Sequence, residues 1–222
     1  IQMVANPNFR DPAKPAFATL TFKGGGDAAA AGRAVMETGE FDYAWNLQLA
    51  PDVLKKMASG GKGKTVAAFG TLVERIEMNL TDPSAKHGDA RATTKHPHPF
   101  LTDMRVRKAL SMAIDRALLV EIGYGPAGRP TCNLVPAPLA FASSNTDCIK
   151  QDMAGAKALL DQAGWKMGSD GVRAKDGVKM EMLYQTSTNA VRQNFQALVK
   201  QWWTELGAKV ESDDGKFSAR LA

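Results

Sequence analysis

The chain has 222 residues, 44% of them hydrophobic and 23% charged, which is enough apolar matter for a real core and enough length for one large domain or two small ones. Its 28 Lys and Arg against 23 Asp and Glu give a net charge of +5, yet the cations are spread among acids rather than gathered with aromatics, which argues against a nucleic-acid partner. No run of about 18 apolar residues offers a membrane-spanning helix, and residues 1–15, rich in Asn, Pro and charge, do not read as a secretory leader, so the expectation is a cytoplasmic protein or a mature or excised piece.

Residues 17–22 (FATLTF) alternate as a strand does, and Gly24, Gly25 and Gly26 break the run. Asp27 can cap a helix through Met36 that closes at Gly39. Residues 41–46 (FDYAWN) read as a short strand, 51–58 as a helix opened by Pro51, and 65–69 as another strand. Residues 72–80 (LVERIEMNL) alternate apolar with charged side chains and predict a further strand. Residues 81–99 are polar and rich in breakers, hence a surface loop.

Asp103 then caps a helix with Val106, Leu110, Ala113 and Ala117 on one face and Arg107, Ser111 and Asp115 on another; the run to Glu121 divides into two helices. Arg105 and Arg107 fall in a first turn, where cations oppose the helix dipole, so they are expected to pair with acids or carbonyls rather than with a ligand. Asp152 caps a shorter helix with Ala156, Leu159, Leu160 and Ala163 as its buried stripe and Gly164 at its left-handed close. Residues 172–183 predict a hairpin turning at Asp176 and Gly177. A helix after 187–189 carries Val191, Phe195, Leu198, Trp202 and Leu206 on one stripe, ends at Gly207, and is followed by a strand beginning at Ala208. Strands alternating with helices predict a layered α/β body.

Cys132 and Cys148 flank an irregular, proline-containing stretch at a spacing that matches no zinc or redox motif. A disulfide there would stabilise by about 3 kcal/mol through loop closure and would imply an oxidising compartment; the alternative is a pair of buried free thiols. GGKGKT at 60–65 lacks the first glycine of a phosphate-binding loop, Ala58 standing in its place, and has a helix before and a strand after instead of the reverse, so it reads as a solvated turn. His87, His96 and His98 crowd into one loop, where a metal-binding or hydrolytic role competes with simple exposure; prolines hold that stretch extended and no other ligand is fixed nearby. Neither GxSxG nor HExxH occurs, so the chain does not read as an enzyme, and no cofactor or metal is expected. The more suggestive segments are FDYAWN, with Tyr43, Trp45 and Asn46, and YQTSTN at a strand-to-helix junction, because open α/β sheets hold ligands at the carboxyl ends of their strands. The competing account makes Trp45 core and Ser187 to Asn189 helix caps.

Taken in order, NPNF, KPAFATLTF, ETGEFDYAWN, LTDMRVRKALSMAIDRALLV, DMAGAKALLDQAGW, DGVRAKDG, MLYQTSTN and LGAKV resemble the family 5 extracellular solute-binding proteins, the peptide receptors of bacterial ATP-binding cassette importers. The resemblance covers about residues 1–211 and is most specific at RVRKALSMAIDR. It implies an incomplete lobe of the type II periplasmic-binding-protein fold, with residues 1–46 as the end of a first lobe and hinge-adjacent segment and 47–222 as part of a second. It implies a periplasmic, non-enzymatic receptor for a peptide or related small solute, with a membrane permease as partner. Tyr43, Trp45, Asn46, Gln185, Thr186 and Ser187 become candidate solute contacts by likeness to the family's cleft-lining segments. Ala190 stands where some oligopeptide receptors carry a histidine, and Asn189 and Arg192 lie close enough to substitute. The tail ESDDGKFSARLA does not resemble the family's continuation.

Overall fold

The computed structural model describes residues 1–138 and 140–213; most of the atypical tail, from 214 onward, lies outside them. The core is built from α3 (Met104–Met112), α5 (Met153–Gln162) and α6 (Ala190–Leu206). Ala109 and Ala156 are fully buried, and such small side chains let α3 and α5 lie close together. Leu110, Leu160, Val199 and Leu206 fill the space between the helices. Trp203 reaches across, its Nε1–H donating to the Leu110 carbonyl at 3.0 Å, so this bulky side chain brings no unpaired polar atom inside.

The helix starts are chemically marked. Asp103 and Asp152 accept amide hydrogens in the first turns of α3 and α5, and Asp115 does so for α4 (Arg116–Gly123). The run after Asp103 therefore divides where Asp115 offers a new cap. Arg116 fastens the break, donating to the Ser111 carbonyl at 3.0 Å, the Ser111 hydroxyl at 2.8 Å and the Cys148 carbonyl at 2.9 Å. Cys132 and Cys148 form a disulfide with Cα atoms 5.6 Å apart, so the stapled loop is anchored at this same point. Arg105 pairs with Asp103 at 2.7 Å, and Arg107 donates to the Leu101 and Thr102 carbonyls, as the dipole argument requires.

Two small sheets follow. β3 (Lys166–Met167), β4 (Arg173–Lys175) and β5 (Val178–Lys179) are antiparallel in that order, and Asp176 and Gly177 turn with φ of +50° and +78°, the left-handed pair a tight hairpin needs. β6 (Glu181–Gln185) leaves the hairpin and runs parallel to β7 (Lys209–Asp213), Glu181 opposite Lys209, with α6 as the crossover between them. Gly207 closes α6 at φ +101°.

In the first part of the chain, β1 (Gln2–Val4), which sequence patterning misses, pairs antiparallel with β2 (Thr19–Thr21), inside the 17–22 segment. α1 (Ala28–Met36), capped by Asp27, packs on α2 (Pro51–Ala58). A Cβ at Gly32 would come within 3.0 Å of the Met57 sulfur, so glycine sets the closeness of that pair.

Three expected strands are absent: 41–46, 65–69 and 72–80 are extended or irregular, and among the described residues no neighbour forms a ladder with them. Strand propensity is realised only against a hydrogen-bonding partner. Faces are nonetheless partitioned in 72–80: Ile76 and Met78 pack on the core while Arg75 and Glu77 pair with each other outside.

Candidate functional site

Between the extended segment 72–80, the end of α4 and the start of α6 lies a polar cluster drawn from four distant stretches. Arg192, in the first turn of α6, donates from Nε to Glu74 Oε1 at 2.9 Å and from a terminal nitrogen to Glu74 Oε2 at 3.3 Å. The Tyr124 hydroxyl, one residue beyond α4, donates to Glu74 Oε2 at 2.8 Å. Asn189 caps α6 through its side-chain oxygen, and its amide nitrogen donates to Gln48 Oε1 at 3.0 Å. Gln196, one turn further along α6, donates to the Tyr184 carbonyl at 2.7 Å.

Local sequence explains the convergence. Asn189 is the cap that starts α6, so residue 192 falls in the first turn directly above it. Gly123 lets α4 touch α6: a Cβ there would run into the Phe195 ring, so a larger residue would force the ring or the helix aside and shift Tyr124. Pro51 at the head of α2 lies against Gly125, which brings Gln48 to the cluster.

The electrostatics are those of a carboxylate shared by one cation and one neutral phenol. Burial, then the hydrogen bond to Glu74, push the Tyr124 hydroxyl well above the ordinary phenol value, so it stays a donor. Burial and the same carboxylate push Tyr184 up to about 12. The hydrogen bonds to Glu74 hold Arg192 above its ordinary value. Such an arrangement can orient a solute by hydrogen bonds and charge. It pairs no nucleophile with a base, and among the described residues no three metal-ligating side chains converge.

Of the residues proposed from sequence, Asn189 and Arg192 stand in this cluster. Gln185 ends β6, with Thr186 half-buried and Ser187 exposed on the turn leading to the cap. This places the segment at the carboxyl end of the parallel pair. Asn46 adopts φ +57° two residues before Gln48. Tyr43 and Trp45 project into solvent, 76% and 72% exposed, so Trp45 is not core. Sequence reasoning missed Gln48, Glu74 and Tyr124. Glu74 was legible only as one charge in an alternating run, and Tyr124 follows a helix end with no motif around it.

The histidine loop does not assemble as a ligand set: His87 and His96 stack on each other, and the His98 Nδ1 faces the backbone amides of Phe100 and Leu101. A shallow apolar groove lined by Met3, Pro15, Phe17 and Leu20 lies on the β1–β2 ribbon, with no convergent polar groups.

Comparison with known proteins gives a consistent result. The sequence model described as bacterial extracellular solute-binding proteins, family 5 Middle, matches residues 1–220. Protein XP55 of Streptomyces lividans is 37% identical over 112 residues, which is 50% of this chain and 20% of that protein. The oligopeptide-binding protein OppA of Lactococcus lactis subsp. cremoris (strain SK11) is 30% identical over 152 residues, 65% of this chain and 24% of that one. The solved structure of lactococcal OppA, complexed with an endogenous peptide in the closed conformation, superposes with a TM-score of 0.53 at 26% identity over 64% of this chain and 27% of that one. The matched part thus spans a quarter or less of the two curated relatives, and the fold is that of part of a type II periplasmic binding protein.

Proposed function

Because this chain belongs to the family 5 bacterial extracellular solute-binding proteins, we propose that it is part of the substrate-binding component of an ATP-binding cassette importer, holding a peptide or related small solute in the periplasm and presenting it to a permease without altering it. The observation that carries the reading is the polar cluster around Glu74 and Arg192 at the carboxyl end of the β6–β7 pair, in a chain matched to the family over residues 1–220.

A peptide carries an ammonium, a carboxylate and amides. Arg192 is suited to a carboxylate, Glu74 to an ammonium, and Gln48 and Asn189 to amides. Gln185, Thr186 and Ser187 would continue that wall, and Tyr43, Trp45 and Asn46 would supply an aromatic and amide edge from the hinge side. In this reading residues 1–46 close a first lobe, the remainder belongs to a second, and binding energy is spent on closing one lobe upon the other. The likeness to oligopeptide-binding relatives supports peptides as cargo.

Calorimetric titration of the protein with defined peptide pools, together with small-angle scattering for compaction, tests this. Binding with compaction is expected, weakened at least about tenfold by Arg192→Ala, the order of one charge-assisted contact. Absence of heat and of compaction with every pool would refute it.

A further inference from the structure

All three histidines of the chain lie in one loop, and each is held differently. His87 and His96 stack with ring centroids 3.8 Å apart and planes 13° from parallel. His87 Nε2 lies 2.9 Å from Asp82 Oδ2, a carboxylate that Lys86 also reaches at 3.2 Å. The Asp82 amide donates to the His96 carbonyl at 2.7 Å, and Thr81 bridges to Pro97, which knots the two ends of the loop. The His98 amide donates to the Leu80 carbonyl at 2.8 Å. Its Nδ1 accepts the amides of Phe100 at 3.3 Å and Leu101 at 3.1 Å, and both residues are buried in the core at the entry to α3. The knot therefore joins two things: the end of the segment that carries Glu74, and the turn that starts α3.

We propose that this knot is an acid-released latch, in which protonation of His98 frees the joint between the Glu74-bearing segment and the entry to α3. A ring nitrogen that accepts two amides carries no proton. Once protonated, His98 points a third donor at two others, and the contact that holds the two amides becomes repulsive. The titratable and charged groups around the joint are Asp82, Lys86, His87 and His96 in the loop, Asp103, Arg105 and Arg107 at α3, and Lys175 of β4 near Asp103. Burial opposes a charge on His98 more than Asp82 favours it, so its pKa lies below the ordinary histidine value. The unfolded or opened loop then takes the proton first. The stabilisation is whole above about pH 6.5 and is lost as pH falls through the lower folded value. Its consequence for solute binding rests on the function proposed above, since Glu74 sits at the other end of the latched segment.

The test is amide hydrogen exchange of the protein near neutrality and about two pH units below, corrected for intrinsic rates. It compares the wild type with His98→Asn, whose side-chain oxygen accepts the same amides without titrating. In the wild type, opening of residues 74–82 and of Phe100 and Leu101 should rise by up to about tenfold per pH unit across the titration. His98→Asn should lose most of that response; an equal response in both proteins overturns the latch. If the variant does not fold, an NMR titration of the wild-type imidazoles decides, and a His98 midpoint at or above that of free histidine overturns it. Peptide affinity measured at the same two pH values separates the readings. Failure to bind at either pH removes the transport function and leaves the exchange result standing, whereas pH-independent affinity alongside pH-dependent exchange breaks the link to Glu74.

Discussion

Arg173 shows how much one side chain can hold. Its side chain is 4% exposed, yet the guanidinium donates to the Leu206 carbonyl at 2.8 Å, the Trp165 carbonyl at 2.6 Å and Asp161 at 2.7 Å, tying β4 to the ends of α6 and α5. Arg173→Met strands two buried carbonyls and should cost about 3 kcal/mol, read as a fall in the urea midpoint with unchanged slope. Asp161→Asn, on the solvent side of the pair, should cost much less. Asp82 makes a different prediction. The hydrogen bond with His87, then the Ser84 amide, hold its carboxyl well below the usual range. A depressed folded pKa gives stability that is present above the unfolded value near pH 4 and lost as pH falls further. Asp82→Asn should flatten the acid limb of a stability-versus-pH curve below about pH 4. The caps at Asp27, Asp103 and Asp152 were legible from sequence because a cap is a local event, settled by the residue and the few amides beyond it. Neither Arg173 nor Asp82 was legible, because their partners are set by the fold.

Among the elements, the contact of α4 with α6 is the most exposed to a single change. Gly123→Ala would drive a methyl group into the Phe195 ring, and because both helices are fixed elsewhere the strain should cost about 1–3 kcal/mol in thermal or denaturant unfolding. It should also move Tyr124 away from Glu74 and so weaken the cluster, measurable as lost solute affinity. Helices α1, α2, α3, α5 and α6 follow from apolar periodicity, caps and terminal glycines, all short-range signals. The segments 41–46, 65–69 and 72–80 have strand-like composition but, among the described residues, no ladder partner, because pairing depends on residues distant in sequence. Their alternation still told which side faces inward: Ile76 and Met78 pack on the core.

Across the whole molecule, the cysteine loop is fastened twice, by the disulfide and by Arg116 on the Cys148 carbonyl. Changing both cysteines to Ser should lower stability by about 3 kcal/mol, the loop-closure value, with the α3–α4 break losing exchange protection first. The candidate cluster was legible in sequence only in its α6 part. Asn189 ends the segment that the family resemblance marks and Arg192 lies three residues beyond it, while Gln48, Glu74 and Tyr124 arrive from three separate stretches that only tertiary packing assembles.

The four tryptophans divide unevenly between interior and surface. Trp165, Trp202 and Trp203 are 3%, 8% and 3% exposed, whereas Trp45 is 72% exposed and stands three residues from Gln48. A collisional quencher such as acrylamide will extinguish one indole and spare the sealed three. The chain thus carries its own optical gauge of the segment beside the polar cluster, readable without any added label.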